Sequence, residues 1–476
     1  MLNNKAQKDK LLLWMLYALP IVLYFSYFPI IRIGTNETMN FELSVPLIWL
    51  VIFDIVVAVK LTQRKGWGNV LRKWKWLLLP IWLTMTVFWS LNFVRGVLTV
   101  GIIWLIYFAW YGMSEMREVW MGERFKRRWW KVFFGAAIAA VAWCVIQCVL
   151  DLAGVSQDFT LMCDGCKYEM FGFPHPNGMA IEPQFMGNLL IAPAIMAGYF
   201  WIKRRTEKMG VTFLILAAGV FLTFSRGAIY AFVIGMIVMM IWMGVKWRKW
   251  KQGAMAVGIV AVAFAVVLCW QGAMAEVSRT DDTFQSGVAK VINHLSLGVI
   301  KMPAEKEEGK KIEIREVAED DKARGVAIEE NDEKEEAVFD GYVPESTDTR
   351  VRLTNAALTI WQQDAVTMMA GVGLGGAGQA LYDNGLSPAP KEIVQNEYAS
   401  LLLETGVVGV ILLLYTGYLI VKLLWGEKGV VLVVIISYGV TLMFFSGVAN
   451  ALQIYLLPIV LTLILTKFSG CDIIRR

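Results

Sequence analysis

The sequence predicts an all-α, polytopic membrane protein with about twelve transmembrane helices. Three observations predict it. Only 18% of the 476 residues are charged, while 57% are hydrophobic and the mean hydropathy is +0.54. Soluble domains carry roughly 25% charged residues, so this chain has too little charge to cover two or three globules. The apolar residues also fall in runs that approach the roughly 20 residues a bilayer-spanning helix needs. Finally, the basic clusters recur at every second connection between those runs. The same composition excludes a disordered chain, a disulfide-rich secreted module and a fibrous repeat.

Taken in order, the runs are 11–30, 43–60, 76–94, 97–112, 132–150, 184–202, 211–224, 227–245, 254–273, 401–421, 429–447 and 452–466. The first is too long for a cleaved signal peptide, and IRIGTNET, which follows it, offers no small-x-small cleavage site. Val211 to Val245 contains a single charge, Arg226. Thirty-five residues are too many for one span, so a tight hairpin is expected with Arg226 at its tip.

Orientation follows from Lys and Arg, which favour the cytoplasmic side. With both termini cytoplasmic, the inner segments hold 28 basic and 7 acidic residues. The clusters QRKGWGNVLRKWK, RFKRRWWK, KRRTEK and KWRKWK then share one face. Trp74, Trp76, Trp129, Trp130, Trp247 and Trp250 lie beside them, as an interfacial aromatic belt does. Membrane anchoring explains these clusters better than nucleic-acid binding, and no nucleic-acid partner is expected.

The expected organisation is a membrane domain over 1–273, an extracytoplasmic loop domain over 274–400 between spans nine and ten, and the last three spans with a cytoplasmic tail over 401–476. The loop domain holds 13 basic and 24 acidic residues. Within it, 301–340 is a charge-dense insert with few large apolar residues, expected to be disordered or a mobile excursion. From Ser346 a helical period sets in, with Leu353, Ala356, Ala357, Ile360 and Trp361 on one face. GVGLGGAG follows. It contains the spacing G-x-G-x-x-G but lacks a βαβ context, so it reads as a turn packed near the membrane rather than a dinucleotide site. A second helical stretch is expected from about Ile393.

Of six cysteines, Cys144, Cys148 and Cys269 lie in spans, and Cys471 lies in the tail. Cys163 and Cys166, in the external segment 151–183, are open to a local disulfide, free thiols or a metal.

Arg226 leads the candidates for chemistry. A cation at membrane depth is costly and marks function by default. Thr223 and Ser225 flank it, Gly227 permits close approach, and the bland alternative is a snorkelling arginine. A guanidinium there suits a phosphate, which it can grip through two hydrogen bonds. Arg350 and Arg352 open the external helix. Two residues apart, they do not share a face, so one can meet a ligand while the other is solvated. Gln395, Asn396, Glu397 and Tyr398 stand at the water–lipid boundary before span ten, and Glu404 lies two turns deeper on the same face as Glu397. Either carboxylate is a candidate general base or arginine partner. Asp54 is the other intramembrane acid, a structural acceptor or part of a proton route. His175, one of two histidines with His294, stands in a proline-rich segment that ends at Glu182. Both His175 and Glu182 could face an external cavity with Arg226.

Several of these pieces resemble the O-antigen ligase and surface-polysaccharide polymerase superfamily of bacterial membrane glycosyltransferases. They are LTFSRGAIYAFVIG, the Arg350-led helix with GVGLGGAG, QNEYASLLLETGVVG, and the PHPNGMA and EP elements, in that family's order on one topology. The resemblance implies transfer from a polyprenyl-diphosphate-linked glycan to a glycan or lipid acceptor, at the outer face of the bacterial cytoplasmic membrane. It implies neither metal nor cofactor. It assigns Arg226 and Arg350, with Arg352 beside them, to the diphosphate. It leaves Glu397, Glu404, Gln395 and His175 as catalytic candidates, and Asn396, Tyr398, Glu182 and Ser225 as further substrate contacts. Other polysaccharide-assembly membrane proteins are candidate partners. Many members have His-Asn where this chain has Gln395-Asn396, and glutamine cannot take up a proton at neutral pH. That departure tilts the expectation towards a polymerase over a ligase. A transporter or flippase of a lipid-linked oligosaccharide is the alternative from another class.

Overall fold

The computed structural model describes residues 10–26, 30–36, 39–64, 68, 73–120, 122–155, 160, 175–180, 182–278, 284–297, 300, 342–390, 392–425, 429–445, 447–448 and 451–465. Cys163, Cys166, Cys471, Pro174 and the insert 301–340 lie outside the described residues.

The described residues are helical, with one exception. α1 (Lys10–Val22) ends well short of the apolar run that predicted it, and two strands follow, β1 (Ile30–Asn36) and β2 (Met39–Ser44). They pair antiparallel with Ile30 opposite Ser44. The helix closes through turn bonds from Tyr24 N–H to Ile21 O and Phe25 N–H to Val22 O, and of the predicted run only its last residue, Ile30, enters the strand. α2 (Val45–Gln63) then starts with a proline in its first turn, where the missing N–H costs nothing.

The remaining helices are α3 (Trp74–Val87), α4 (Phe93–Glu115), the single turn α5 (Arg117–Trp120), α6 (Glu123–Leu152), α7 (Pro183–Arg204), α8 (Glu207–Leu222), α9 (Arg226–Trp247), α10 (Trp250–Ser278), α11 (Phe284–Leu295), α12 (Tyr342–Trp361), α13 (Ala365–Ala370), α14 (Ala377–Asp383), α15 (Glu397–Leu424), α16 (Gly429–Thr441) and α17 (Leu452–Ile464). Each predicted span contains a helix. Seven of them, α2, α4, α6, α7, α9, α10 and α15, are long and apolar enough to cross a membrane, and α1, α16 and α17 are shorter apolar helices.

α7 is the axis of the bundle, with 94% of its span buried. It packs against α6, α8, α9, α16 and α17. Small residues allow the close approaches that membrane packing relies on. A Cβ on Gly187 would stand 2.5 Å from the Ala228 Cβ of α9, and one on Gly219 of α8 would stand 2.3 Å from Val141 of α6. Asp54 is buried on α2, and neither of its oxygens accepts a hydrogen bond among the described residues. Cys144 and Cys148 are buried free thiols, and Cys269 is exposed on α10.

A second, smaller core lies over the start of α15. Leu353, Ala356, Ala357 and Ile360 of α12 pack there on Ala377, Ala380 and Leu381 of α14 and on Ala399 and Leu403 of α15. This is the face that the helical period of 346–361 predicts.

α15 is broken at Gly406, which sits at φ 65°, ψ −172°. Only glycine occupies that region without strain. The break removes the intrahelical donors of three successive carbonyls, and each finds another. Val372 N–H donates to Leu403 O and Gly373 N–H to Glu404 O, both at 2.9 Å, and Trp82 Nε1–H donates to Thr405 O at 3.2 Å. The glycine run is thus threaded between α15 and the α3–α4 turn. On its far side Leu91 N–H donates to Val372 O, Trp89 Nε1–H to Gly371 O and Ser90 Oγ–H to Leu374 O. A Cβ on Gly373 would stand 2.3 Å from Ser90 Cα, so the residue type follows from the close approach.

Candidate functional site

The α8–α9 turn is built around Phe224. α8 closes at Leu222, Phe224 adopts φ +46°, and Arg226 opens α9. A left-handed Phe is uncommon and costs on the order of 1 kcal/mol, which the surroundings must offset. Burial does so: Phe224 is 1% exposed, and its ring lies 5.3 Å from that of His175. The conformation turns the Phe224 carbonyl towards α11, where it meets His294 Nε2 at 2.9 Å. Tyr230, one turn into α9, donates its hydroxyl to Leu295 O and ties α11 to the same corner.

Arg226 is buried at 5% exposure, at the tip where the sequence places it. A Cβ on Gly227 would stand 3.0 Å from that of Phe444, so the small residue admits a neighbour as expected. The flanking hydroxyls do something else. Thr223 Oγ1–H donates to Val220 O at 2.8 Å, and Ser225 makes no side-chain cap.

Around this tip the structure gathers residues from distant parts of the chain. The two histidine rings lie 6.1 Å apart, edge to face. Burial lowers both, His175 to about 4 and His294 to about 3. His175, Arg226 and Arg350 hold His294 down further. Arg350 Nε–H donates to Gln395 Oε1 at 2.9 Å, joining α12 to the segment before α15. Burial raises the Glu182 carboxyl above its ordinary range, and Arg350 opposes that shift. Direct contacts tie His175, Phe224 and His294 together, and Arg350 to Gln395, with electrostatic influence running between the two groups. Arg352 is exposed, so of the two candidate arginines on α12 the inward one is Arg350.

The other sequence-predicted residues form a second cluster. Asn396 is the helix cap of α15: its Oδ1 accepts from Tyr398 N–H at 3.1 Å and Ala399 N–H at 3.2 Å. Tyr398 donates its hydroxyl to Gly439 O of α16. Glu397 Oε2 accepts from Gly447 N–H at 2.9 Å. Glu404 Oε1 accepts from Ala377 N–H at 3.3 Å, Gly375 N–H also bonds this carboxylate, and Arg95 of α4 acts on it electrostatically. Glu397 and Glu404 thus share the field of Arg95 and hold loops in place.

Sequence reasoning missed His294, Arg95 and Tyr230. Arg95 had a signal, being the only charge between Trp76 and Ser114, as Arg226 is the only charge between Val211 and Val245. His294 had only its rarity. Among the described residues no group of three His, Cys, Asp or Glu side chains converges as a metal ion would require.

No curated protein matches the chain. A family model described as O-antigen ligase matches residues 211–414. That segment runs from α8 into α15 and carries Arg226, His294, Arg350, Gln395, Glu397 and Glu404. Over those residues, fewer than half of the chain, the protein is similar to the O-antigen ligase family.

Proposed function

We propose that the protein is a membrane glycosyltransferase at the outer face of the bacterial cytoplasmic membrane. It takes a glycan from a polyprenyl diphosphate and passes it to an acceptor hydroxyl. The placement of the two arginines supports this reading: Arg226 is buried at the tip of the α8–α9 turn, and half-buried Arg350 is bonded to Gln395 ahead of α15. Two guanidinium groups, one at membrane depth, suit a diphosphate better than any neutral ligand.

In the step itself the acceptor oxygen attacks the anomeric carbon and gives up its proton. The bond from that carbon to the diphosphate oxygen breaks, and the electron pair leaves with the polyprenyl diphosphate. The leaving group gains one negative charge, and fixed cations aimed at it lower the barrier. Arg226 and Arg350 supply them.

The topology that goes with this reading has twelve spans and both termini in the cytoplasm. It has a membrane domain over 1–273, the external domain over 274–400 and the last spans over 401–476. The count of 28 basic against 7 acidic residues in the inner segments supports it. The polymerase form, with a second lipid-linked repeat as acceptor, is favoured because Gln395 replaces the histidine that many such enzymes carry.

Purified protein supplied with a polyprenyl-diphosphate oligosaccharide tests the reading. Longer lipid-linked chains identify a polymerase, and transfer to a different lipid identifies a ligase. Movement of the lipid across liposomes without any bond made would replace the reading with a transporter.

A further inference from the structure

We infer that α13 and the glycines after it form a re-entrant element. It dips into the bilayer beside α3 and α15 and sets Val366, Met368 and Met369 against the acyl chains of outer-leaflet lipids. The proposed topology serves only to name the leaflet, and the inference does not depend on the glycosyl-transfer reading.

Depth is the first support. Glu397 stands at the end of the bundle that carries the α8–α9 turn: its N–H donates to Leu442 O, just past α16, and nearby Phe444 meets Gly227. Gly406 lies nine residues further along α15, about 13 Å down its axis. α13 packs there, since a Cβ on Gly406 would stand 2.2 Å from Met369 O. The opposite end gives the same level. Trp82 lies eight residues past Trp74 of the inner aromatic belt, about 12 Å along α3, and its indole reaches Thr405 O. Both measures place Met369 well inside a hydrocarbon core roughly 30 Å thick.

Surface chemistry agrees. Val366 is 72% exposed and Met369 52%, and Met368 is exposed beside them. The α3–α4 turn, to which the glycine run is bonded, leaves Phe88 81% exposed, with Leu91 and Phe93 also exposed. Neighbouring apolar side chains this open to solvent would be costly, whereas in lipid they are at home. Ala365 to Tyr382 contains no charged residue, although it lies in the charge-dense stretch 274–400. The exposed positions of α12 are different: Arg352, Asn355 and Thr359 are polar or charged.

Non-helical backbone is tolerated at membrane depth only where protein satisfies it. Here it does. Asp364 Oδ1 accepts from Val366 and Thr367 N–H, and Trp361 Nε1–H donates to Met368 O. Val372 and Gly373 N–H donate to α15, and the carbonyls of Gly371, Val372 and Leu374 accept from the α3–α4 turn. α12 ends where α13 begins, so the dip holds α12, and Arg350 with it, at a fixed height over the bilayer.

Spin labels measure the depth. Val366→Cys, Met369→Cys and Phe88→Cys, with Asn355→Cys as the water-facing control, are made in full-length protein without its native cysteines. Each is labelled and reconstituted in phosphatidylethanolamine–phosphatidylglycerol liposomes. Oxygen concentrates in lipid and a neutral nickel chelate in water, so the ratio of their collision rates reports the surroundings of the label. The ratio should favour oxygen at 366, 369 and 88, and the chelate at 355. A ratio favouring the chelate at 366 and 369 puts α13 in water and overturns the proposal. Poor access to both reagents marks a surface covered by protein and overturns it equally. A second measurement avoids the cysteine-free background: p-benzoylphenylalanine replaces Val366 or Met369 in the otherwise native chain, in the same liposomes. Ultraviolet light should add the mass of a phospholipid, and adducts with polypeptide alone would refute lipid contact.

Discussion

At the scale of single residues, the proposed role of the arginines as cations for a diphosphate leaving group can be tested one side chain at a time. Arg226→Ala should lower turnover about 100- to 1,000-fold, the usual cost of removing a donor aimed at developing charge. Arg226→Lys should recover part of that loss, because it keeps the charge and loses the fork. Arg352→Ala, at an exposed position, should change transfer by less than about threefold. The histidines also set a pH dependence of stability. Their folded values, about 4 and about 3, lie below the ordinary 6.5, so the unfolded chain binds more protons as pH falls. Stability should therefore drop as pH falls below about 6.5, by about 1.4 kcal/mol per unit for each histidine. Glu182, shifted upward, opposes this in part. Thermal unfolding in detergent at pH 7.5 and pH 5 checks the sign, and His175→Gln with His294→Gln should flatten the curve. Arg226 was legible in the sequence because a lone charge in an apolar stretch needs a reason. Arg95 carries the same signature and was passed over. The choice of Arg350 over Arg352 was not legible, since it depends on a hydrogen bond across 45 residues.

At the scale of elements, α15 departs furthest from its sequence pattern. LLLETGVVGVILLL reads as one continuous apolar helix, and nothing in it announces a break. The cause lies in other segments, whose N–H groups take the carbonyls that Gly406 frees. Gly406→Ala should be severely destabilising. A Cβ there would stand 2.2 Å from Met369 O, and the backbone region alone costs about 1–3 kcal/mol for other residues. A lower unfolding temperature in detergent, with transfer lost in proportion, is the expected result. The glycine run was read correctly as a packed turn, because glycines without a βαβ unit have few other uses. Its partner helix could not be read, since close approach has no local period. α1 shows the opposite error: hydrophobicity continues past Val22, but the helix closes there in a turn over Leu23 and Tyr24, because apolar length alone does not mark a helix end.

At the scale of the whole molecule, twelve apolar runs and the alternation of basic clusters were legible, because hydrophobic length and charge are sums over many residues. The net charge of +5 hides a difference of 21 between basic and acidic residues in the inner segments. α10 offers a direct check of sidedness. Its 29 residues span about 44 Å, more than the hydrocarbon core. In a background without native cysteines, Glu276→Cys should react with an impermeant maleimide on spheroplasts, and Lys251→Cys should react only after lysis. The interruption of α15 also bears on how the protein is made. The bond from Trp82 to Thr405 spans 323 residues, and the turn that fills the gap rests on the third and fourth helices. α15 emerges from the ribosome long after α3 and α4, and a backbone carbonyl left unmatched in lipid costs several kcal/mol. The broken shape of α15 is therefore complete only against helices made near the start of synthesis, so an early part of the chain serves as the assembly template for a late one.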